Sequence, residues 1–230
     1  MPIFDNGILL KVENLVSGYG KRQVLFDVSL QVQRAEIVLL IGGNGSGKST
    51  LLKAIYGLLH GYENTKGQIS FEGKDITKCK PFEMIRQGLV YVPQKNNTFD
   101  QLTVIENLQL VAHNMPNKEE RESVVDDIFE KLPQLTMLKS RTPFHLSGGE
   151  KQLLALGMAM IQQPKMIMLD EPGAGLAPKA WFKNLEIIKS LNQQGITFLI
   201  VEHMVKEAVN IAHKVFQMKL GRIQNITINS

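Results

Sequence analysis

The segment with the clearest chemical meaning is a glycine-rich loop followed by a lysine and two hydroxyl residues. It reads Gly42-Gly43-Asn44-Gly45-Ser46-Gly47-Lys48-Ser49-Thr50 and fits the phosphate-loop pattern G-x-x-x-x-G-K-[ST]. The glycines let successive backbone N–H groups point at one anion, and a helix that begins near Lys48 adds free N–H groups. In such a loop Lys48 reaches the β- and γ-phosphates, and the Ser49 hydroxyl ligates Mg²⁺. Because the loop directly follows the apolar run 37–41, as the motif requires, it predicts a site for a nucleoside triphosphate with Mg²⁺.

Two adjacent acids, Asp170 and Glu171, follow the apolar run 166–169. Carboxylates at the end of a buried strand are costly unless they face a cation or a polar cleft. In a parallel sheet they would lie at the same edge as the phosphate loop. There Asp170 would hold Mg²⁺, directly or through water, and Glu171 would polarise the attacking water. The alternative is an acid pair in a surface turn.

A second candidate for phosphate contact is Ser147-Gly148-Gly149-Glu150, which precedes an apolar helical stretch, 153–161. Ser147 and Glu150 have the S-x-x-E spacing of a capping box at a helix start. Capping does not require the two glycines, and each weakens a helix by ~1 kcal/mol relative to alanine. A helix start with a serine and bare backbone is also an anion-binding surface.

The elements that must position these residues alternate between short apolar strands and longer helical stretches. Half-buried antiparallel strands are predicted at 8–16 and 24–32, and fully buried strands at 37–41, 89–92, 166–169 and 197–201. Helical periodicity is predicted from Lys48 to Gly57 and through most of 103–160, and a hairpin follows 214 with its turn near Gly221. Buried strands joined by helices predict an α/β fold with a mostly parallel sheet, whose ligands gather at the carboxyl ends of the strands.

Composition excludes several other classes of protein. The chain has 230 residues with 43% hydrophobic residues, which is ordinary globular usage and excludes a disordered chain. Its single cysteine, Cys79, excludes an internal disulfide framework and a cysteine-rich zinc site. The net charge is +4, but the basic residues lie in scattered pairs among acids, so no direct nucleic-acid partner is predicted. Apolar runs reach only about five residues against the roughly 18 of a membrane span, so we expect a soluble chain that meets a membrane through a partner.

The motifs, in the order in which they occur along the chain, resemble those of the ATP-binding cassette (ABC) ATPases. The resemblance covers nearly the whole chain. The resemblance implies a phosphate-loop NTPase core with an antiparallel β subdomain, over about 1–95 and 161–230, and a helical subdomain over about 96–160. It also implies a head-to-tail dimer that holds two ATP molecules, with Ser147, Gly148, Gly149 and Glu150 contacting ATP across the interface. Glu150 stands where glutamine is usual in the family.

Three further positions match residues with known roles in the family. Tyr19 resembles the aromatic residue that stacks on adenine, and the alternative is a tyrosine in a hairpin turn. Gln94 resembles the glutamine that contacts Mg²⁺ and the attacking water and senses the transport partner. His203 resembles the histidine that contacts the γ-phosphate, although a lone histidine after an apolar strand is more often structural. Two positions depart from the family: Ala177, where many members have aspartate, and Met158, where arginine is common.

Segments 102–108, 146–152 and 171–178 are most similar to ATP subunits of branched-chain amino acid and urea importers. The resemblance implies a second cassette as partner, in a homodimer or heterodimer, separate transmembrane permease subunits and, indirectly, an extracytoplasmic solute-binding protein. The location implied is peripheral, on the cytoplasmic face of the inner or plasma membrane. A groove near Gln94, with Phe82 and Phe99 at its surface, would receive the permease. The alternatives are the ATPase of a lipid or lipopolysaccharide exporter, or a non-transport ABC protein acting on ribosomes or DNA.

Overall fold

The computed structural model describes residues 7–59, 62, 65–95, 97–115, 117–203 and 205–226, which form two sheets and a group of helices. The strands are β1 (Ile8–Tyr19), β2 (Arg22–Gln33), β3 (Ile37–Ile41), β4 (Lys66–Phe71), β5 (Lys74–Asp75), β6 (Leu89–Val92), β7 (Met166–Asp170), β8 (Thr197–Glu202), β9 (Lys214–Lys219) and β10 (Arg222–Ile226). The helices are α1 (Lys48–Ile55), α2 (Pro81–Gln87), α3 (Val104–Ala112), α4 (Lys118–Lys131), α5 (Gly148–Ile161), α6 (Pro178–Gln193) and α7 (Val205–Val209). Two short 3₁₀ helices cover Pro133–Leu138 and Pro143–His145.

The larger sheet has the strand order β10-β9-β3-β8-β7-β6, and all of its neighbouring pairs are parallel except β10 with β9. Its central strands β3, β7 and β8 are short apolar runs that are buried on both faces, as expected of a parallel sheet covered by helices. The predictions for these strands and for β6 are confirmed. Parallel strands end at one edge, so the loops after β3, β6, β7 and β8 meet there.

The smaller sheet is antiparallel, with the order β2-β1-β4-β5. Helix α1 lies between the two sheets, and its buried residues Leu51, Leu52 and Ile55 share one apolar cluster with strands of both. The predicted β1 and β2 are confirmed: β1 ends three residues later than predicted, and β2 begins two residues earlier and ends one residue later. The sequence did not predict β4, β5 or α2.

The stretch between β6 and β7 is mostly helical, as the periodicity predicted. Thr103 caps α3: its backbone N–H donates to the Glu106 carboxylate at 2.7 Å, and its hydroxyl accepts from the Glu106 N–H at 3.3 Å. Apolar residues of α3, α4 and α5 share a continuous core with the adjacent face of the larger sheet. The subdomain boundaries near 96 and 160 stay a prediction. Within the described part of the chain, no helix is both long and apolar enough to cross a bilayer.

Glu72 links the two sheets at the edge opposite the predicted site. It lies in the β4–β5 turn, and its carboxylate accepts hydrogen bonds from Arg34, just beyond β2, and from Lys165, just before β7, each at 2.6 Å. Burial alone would raise the pKa of Glu72, but the hydrogen bonds and charges of Lys165 and Arg34 hold it below its ordinary value. Because the folded-state pKa is depressed, this link stabilises the fold above the unfolded-state pKa and is lost as the pH falls through the folded-state pKa.

We expect Glu72→Gln to lower the free energy of unfolding by about 1 kcal/mol at neutral pH, because the carboxylate is only partly shielded from water. Urea denaturation measures the free energy of unfolding of the parent and the variant, once at pH 7 and once at a pH below the folded-state pKa of Glu72. The difference should disappear at acid pH, where the parent residue is also neutral. Glu130→Gln, on the exposed face of α4, is the control and should leave stability nearly unchanged. A difference that persists undiminished at acid pH would contradict the ion-pair explanation.

Candidate nucleotide site

The phosphate loop runs from the end of β3 at Ile41 to the start of α1 at Lys48. Gly45 and Gly47 have φ values of +74° and +107°, which glycine adopts most readily. Gly42 needs glycine for space instead, since a Cβ there would overlap the carbonyl oxygen of Met218 in β9. The sequence thus builds a tight loop whose conformation only these glycines allow.

The terminal hairpin β9–β10 supports this loop from behind. The N–H of Gly221, in the hairpin turn, donates to the carbonyl of Ser46 at 2.8 Å. The carbonyl of Gly221 accepts from the N–H of Phe26 in β2 at 2.9 Å, so the turn joins the loop to the smaller sheet. The sequence predicted the hairpin and its turn, but not that it would hold the phosphate loop.

Lys48 lies at the centre of the loop with only 4% of its surface exposed. Its Nζ donates to the carbonyls of Gly42 and Gly43 at 2.9 and 3.2 Å and lies 3.8 Å from Oε1 of Glu171. Burial lowers the pKa of Lys48, while the negative charges of Glu171, Asp170 and Glu202 oppose that shift. The Ser46 hydroxyl is also buried and has no hydrogen-bond partner among the described residues. A buried ammonium and an unsatisfied buried hydroxyl fit a loop that receives phosphate oxygens.

Ser49, Asp170 and Tyr91 form a second polar group beside the loop. The Ser49 hydroxyl donates to Oδ1 of Asp170 at 2.8 Å, and the Tyr91 hydroxyl donates to Oδ2 at 2.9 Å. Burial raises the pKa of Tyr91, and the adjacent Asp170 charge raises it further, so the phenol stays a donor. The sequence brings Ser49 and Asp170 together as predicted. It gave no sign of Tyr91, which no motif marks.

The oxygen donors in this group fit Mg²⁺. One carboxylate and one hydroxyl are the kind of partial ligand set that Mg²⁺ completes with water and substrate phosphates. Among the described residues, no group of three or more His, Cys, Asp or Glu side chains could hold a metal by itself.

Side chains from the loops after β6 and β8 contact Glu171, which follows β7. Its Oε2 accepts from Nε2 of Gln94 at 2.7 Å, and its Oε1 lies 2.5 Å from Nε2 of His203. The other ring nitrogen of His203, Nδ1, lies 3.0 Å from the carbonyl of Gly42 in the phosphate loop. The structure thus brings together Lys48, Gln94, Glu171 and His203, the four residues predicted to act on the terminal phosphate.

The remaining predicted residues lie away from this group. Tyr19 ends β1 with 45% of its surface exposed, so its ring is open to a stacking partner. Thr50 is buried in the first turn of α1, and Asn44 is exposed at the tip of the loop. Ser147 is exposed at the start of α5, and no hydrogen bond or ion pair of the described residues joins segment 147–150 to loop 42–50.

The start of α5 has the predicted capping box, with the Ser147 N–H donating to Glu150 at 2.7 Å. The structure also explains why Gly148 and Gly149 are glycines, in a way that the sequence did not suggest. A Cβ on Gly148 would lie 2.7 Å from Leu176, and one on Gly149 would lie 3.0 Å from Ala180 of α6. The absence of side chains therefore allows α5 to pack closely against α6 within one chain, as well as leaving the helix start bare.

Comparison with known proteins identifies the class. Residues 25–174 match the family described as ABC transporter, and the chain belongs to that family. It is 35% identical over 215 residues to the high-affinity branched-chain amino acid transport ATP-binding protein BraG of Pseudomonas aeruginosa, covering 94% of this chain and 91% of that protein. It is 36% identical over 218 residues to the probable branched-chain amino acid transport ATP-binding protein LivF of Archaeoglobus fulgidus, covering 94% and 90%.

A solved structure agrees with these matches. The ADP conformation of an ATP-binding cassette of an ABC transporter superposes with a TM-score of 0.84 at 34% identity, covering 94% of this chain and 89% of that one. The resemblance inferred from the motifs and the predicted α/β cassette fold are thereby confirmed. The chain is an ATP-binding ATPase subunit of an ABC transporter.

We expect Lys48→Ala to weaken ATP binding at least about a hundredfold, because it removes the buried charge that would face the phosphates. Titration with a fluorescent ATP analogue measures the dissociation constant. Lys53→Ala, in the last turn of the same helix, removes an equal charge outside the loop and should bind like the parent. Unchanged affinity in Lys48→Ala would remove the phosphate loop from the site.

Proposed function

We propose that this ATPase powers import of branched-chain amino acids, or of a related small solute, through separate membrane subunits. The proposal that the chain hydrolyses ATP at this site is supported by the position of Glu171. Its carboxylate contacts both Gln94 and His203 and lies 3.8 Å from the Lys48 ammonium. One carboxylate at the junction of three strand-end loops is suited to act as a general base on water. The names of the relatives that the chain matches support the choice of cargo.

In the proposed reaction, the loop N–H groups and Lys48 bind the ATP phosphates, and Tyr19 stacks on the base. Mg²⁺, held by Ser49, Asp170 and Gln94, would neutralise charge on the phosphates. Glu171 orients a water and accepts its proton as the water oxygen bonds to the γ-phosphorus. The bond from that phosphorus to the bridging oxygen of ADP then breaks.

ATP binding would change the hydrogen-bond partners of Glu171. Both carboxylate oxygens are already engaged, one by Gln94 and the other by His203. Departure of either side chain would free a lone pair of the carboxylate for the attacking water. We infer that His203 moves to the γ-phosphate when ATP binds, because Nδ1 of its ring already lies within 3.5 Å of Lys48 Nζ.

We propose that a second cassette completes each ATP site. The start of α5, formed by Ser147, Gly148, Gly149 and Glu150, is exposed or half-exposed. Among the described residues, no hydrogen bond or ion pair joins it to the phosphate loop of its own chain. A bare helix N-terminus favours an anion, which the ATP on another subunit would supply. Backbone contacts at Ala177 would then replace those of the aspartate that many family members carry there.

The permease would bind near Gln94. An apolar groove of about 260 Å³ lies between β6 and α5, lined in part by Tyr56, Pro93, Phe99 and Met158. Phe99 is half exposed, and Phe82, on the nearby α2, is 53% exposed. Met158 thus belongs to the groove, where a flexible apolar side chain suits a packed partner. The subunit would sit peripherally on the cytoplasmic face of the membrane, with any solute-binding protein on the other side.

A lipopolysaccharide exporter is the second candidate for the transporter that this ATPase serves. The lipopolysaccharide export system ATP-binding protein LptB of Haemophilus influenzae is 33% identical over 217 residues, covering 94% of this chain and 88% of that protein.

Uptake of labelled leucine by cells that lack this chain distinguishes the import proposal from the export alternative. Loss of uptake that the parent gene restores supports import; normal uptake with defective lipopolysaccharide display supports export and contradicts the import proposal.

We expect Glu171→Gln to slow ATP hydrolysis by roughly 10²–10⁴-fold while ATP binding is kept, because the amide still donates and accepts but is not a base. ATP should then hold the variant as a dimer, which light scattering after size exclusion detects. Glu119→Gln, an exposed change on α4, should hydrolyse ATP at the parent rate and return to monomer. If Glu171→Gln hydrolyses at the parent rate, the assignment of the base is wrong.

A further inference from the structure

Glu202 ends β8 beside His203 and has only 1% of its surface exposed. Removing a carboxylate from water is expensive, and a protein retains one in its core when backbone or cationic donors satisfy it. No sequence motif assigns a role to Glu202. The hydrogen bonds of the Glu202 carboxylate therefore indicate the role of this buried charge.

The Glu202 carboxylate bridges two segments of backbone at the edge of the site. One oxygen, Oε1, accepts from the N–H of Gly173 at 2.5 Å, and Oε2 accepts from the N–H of His203 at 2.8 Å. Gly173 lies two residues after Glu171, in the loop that leads to α6. The same carboxylate thus binds the backbone on both sides of the Glu171–His203 contact.

The packing around Gly173 shows that this bridge has little freedom. A Cβ on Gly173 would lie 2.7 Å from Oε1 of Glu202 and 3.0 Å from the ring of Trp181. Trp181 is fully buried in α6 and cannot move aside easily. Gly173 does not have a positive φ, so the lack of space, and not the backbone conformation, requires glycine at this position.

We propose that Glu202 is a positioning residue for ATP hydrolysis, whose carboxylate holds the loop after Glu171 and the backbone of His203 at a fixed separation. This inference rests on the proposed roles of Glu171 and His203. With both segments bound to one buried group, the base and the histidine keep the spacing that lets them exchange contacts when ATP binds. Small displacements of catalytic groups reduce the rate steeply, so the effect should appear in kcat.

Glu202→Gln tests the bridge with little change of shape. The amide oxygen can accept from one N–H, but its NH₂ group faces the other N–H, so one of the two bonds is lost. We expect kcat for ATP to fall about tenfold or more, with KM and the affinity for a fluorescent ADP within about twofold of the parent. Glu186→Gln, on the exposed side of α6, should keep the parent values. A parent-like kcat in Glu202→Gln overturns the proposal.

A double-mutant cycle with His203→Ala separates positioning from a general loss of structure. If Glu202 acts partly through His203, its substitution should cost at least about threefold less once His203 is already alanine. Phosphate release from radiolabelled ATP follows the slow rates of these variants. An equal cost in both backgrounds overturns the proposal, because a merely structural role predicts independence from His203.

Gly173→Ala disturbs the same bridge while leaving Glu202 intact, and so serves if Glu202→Gln does not fold. The added methyl group would displace Oε1, and we expect the same loss of kcat with nucleotide affinity kept. Parent-like hydrolysis by Gly173→Ala also overturns the proposal. Failure of the proposed function looks different: Glu171→Gln and His203→Ala would then keep the parent rate. If those two variants are inactive and the Glu202 variants are not, only the inference about Glu202 fails.

Discussion

The site depends on one geometric constraint: five parallel strands end at one edge of the larger sheet. β3 leads into the phosphate loop, β6 into the segment with Gln94, β7 into Asp170 and Glu171, and β8 into His203. Residues far apart in the chain meet there because the strands that carry them are adjacent and point the same way. Apolar burial on both faces of the central strands maintains that order, so the geometry of the candidate site follows from the packing of the core.

The same edge concentrates buried charge, and groups of the chain itself pair with it. Lys48 lies among Asp170, Glu171 and Glu202, and the charges of these three acids oppose the effect of burial on its pKa. Loop carbonyls accept from the ammonium, while Gln94 and His203 engage Glu171. These contacts stabilise the site, and they involve the groups that the proposed reaction would use. ATP binding is therefore expected to exchange protein contacts for phosphate contacts at Lys48 and His203.

The features predicted correctly from the sequence are those that depend on residues close together in the chain. Continuous apolar runs identified β3, β6, β7 and β8, and the glycine pattern identified the phosphate loop before α1. Strands β4 and β5 lie in a polar stretch with weak alternation, so they were missed. Tyr91, Glu202 and Gly173 were missed as site residues for another reason: their importance lies in hydrogen bonds and close approaches between loops, which no spacing along the chain reveals. The bare start of α5 was predicted, but its packing against α6 could only come from the structure.

The most direct measurement is a crystal structure of the chain with Mg²⁺ and a non-hydrolysable ATP analogue. Our account predicts that the γ-phosphate contacts Lys48 and His203, that His203 has left Glu171, and that Ser147 of a second subunit faces the same phosphate. A γ-phosphate bound away from Lys48, with Glu171 and His203 still paired, would contradict it.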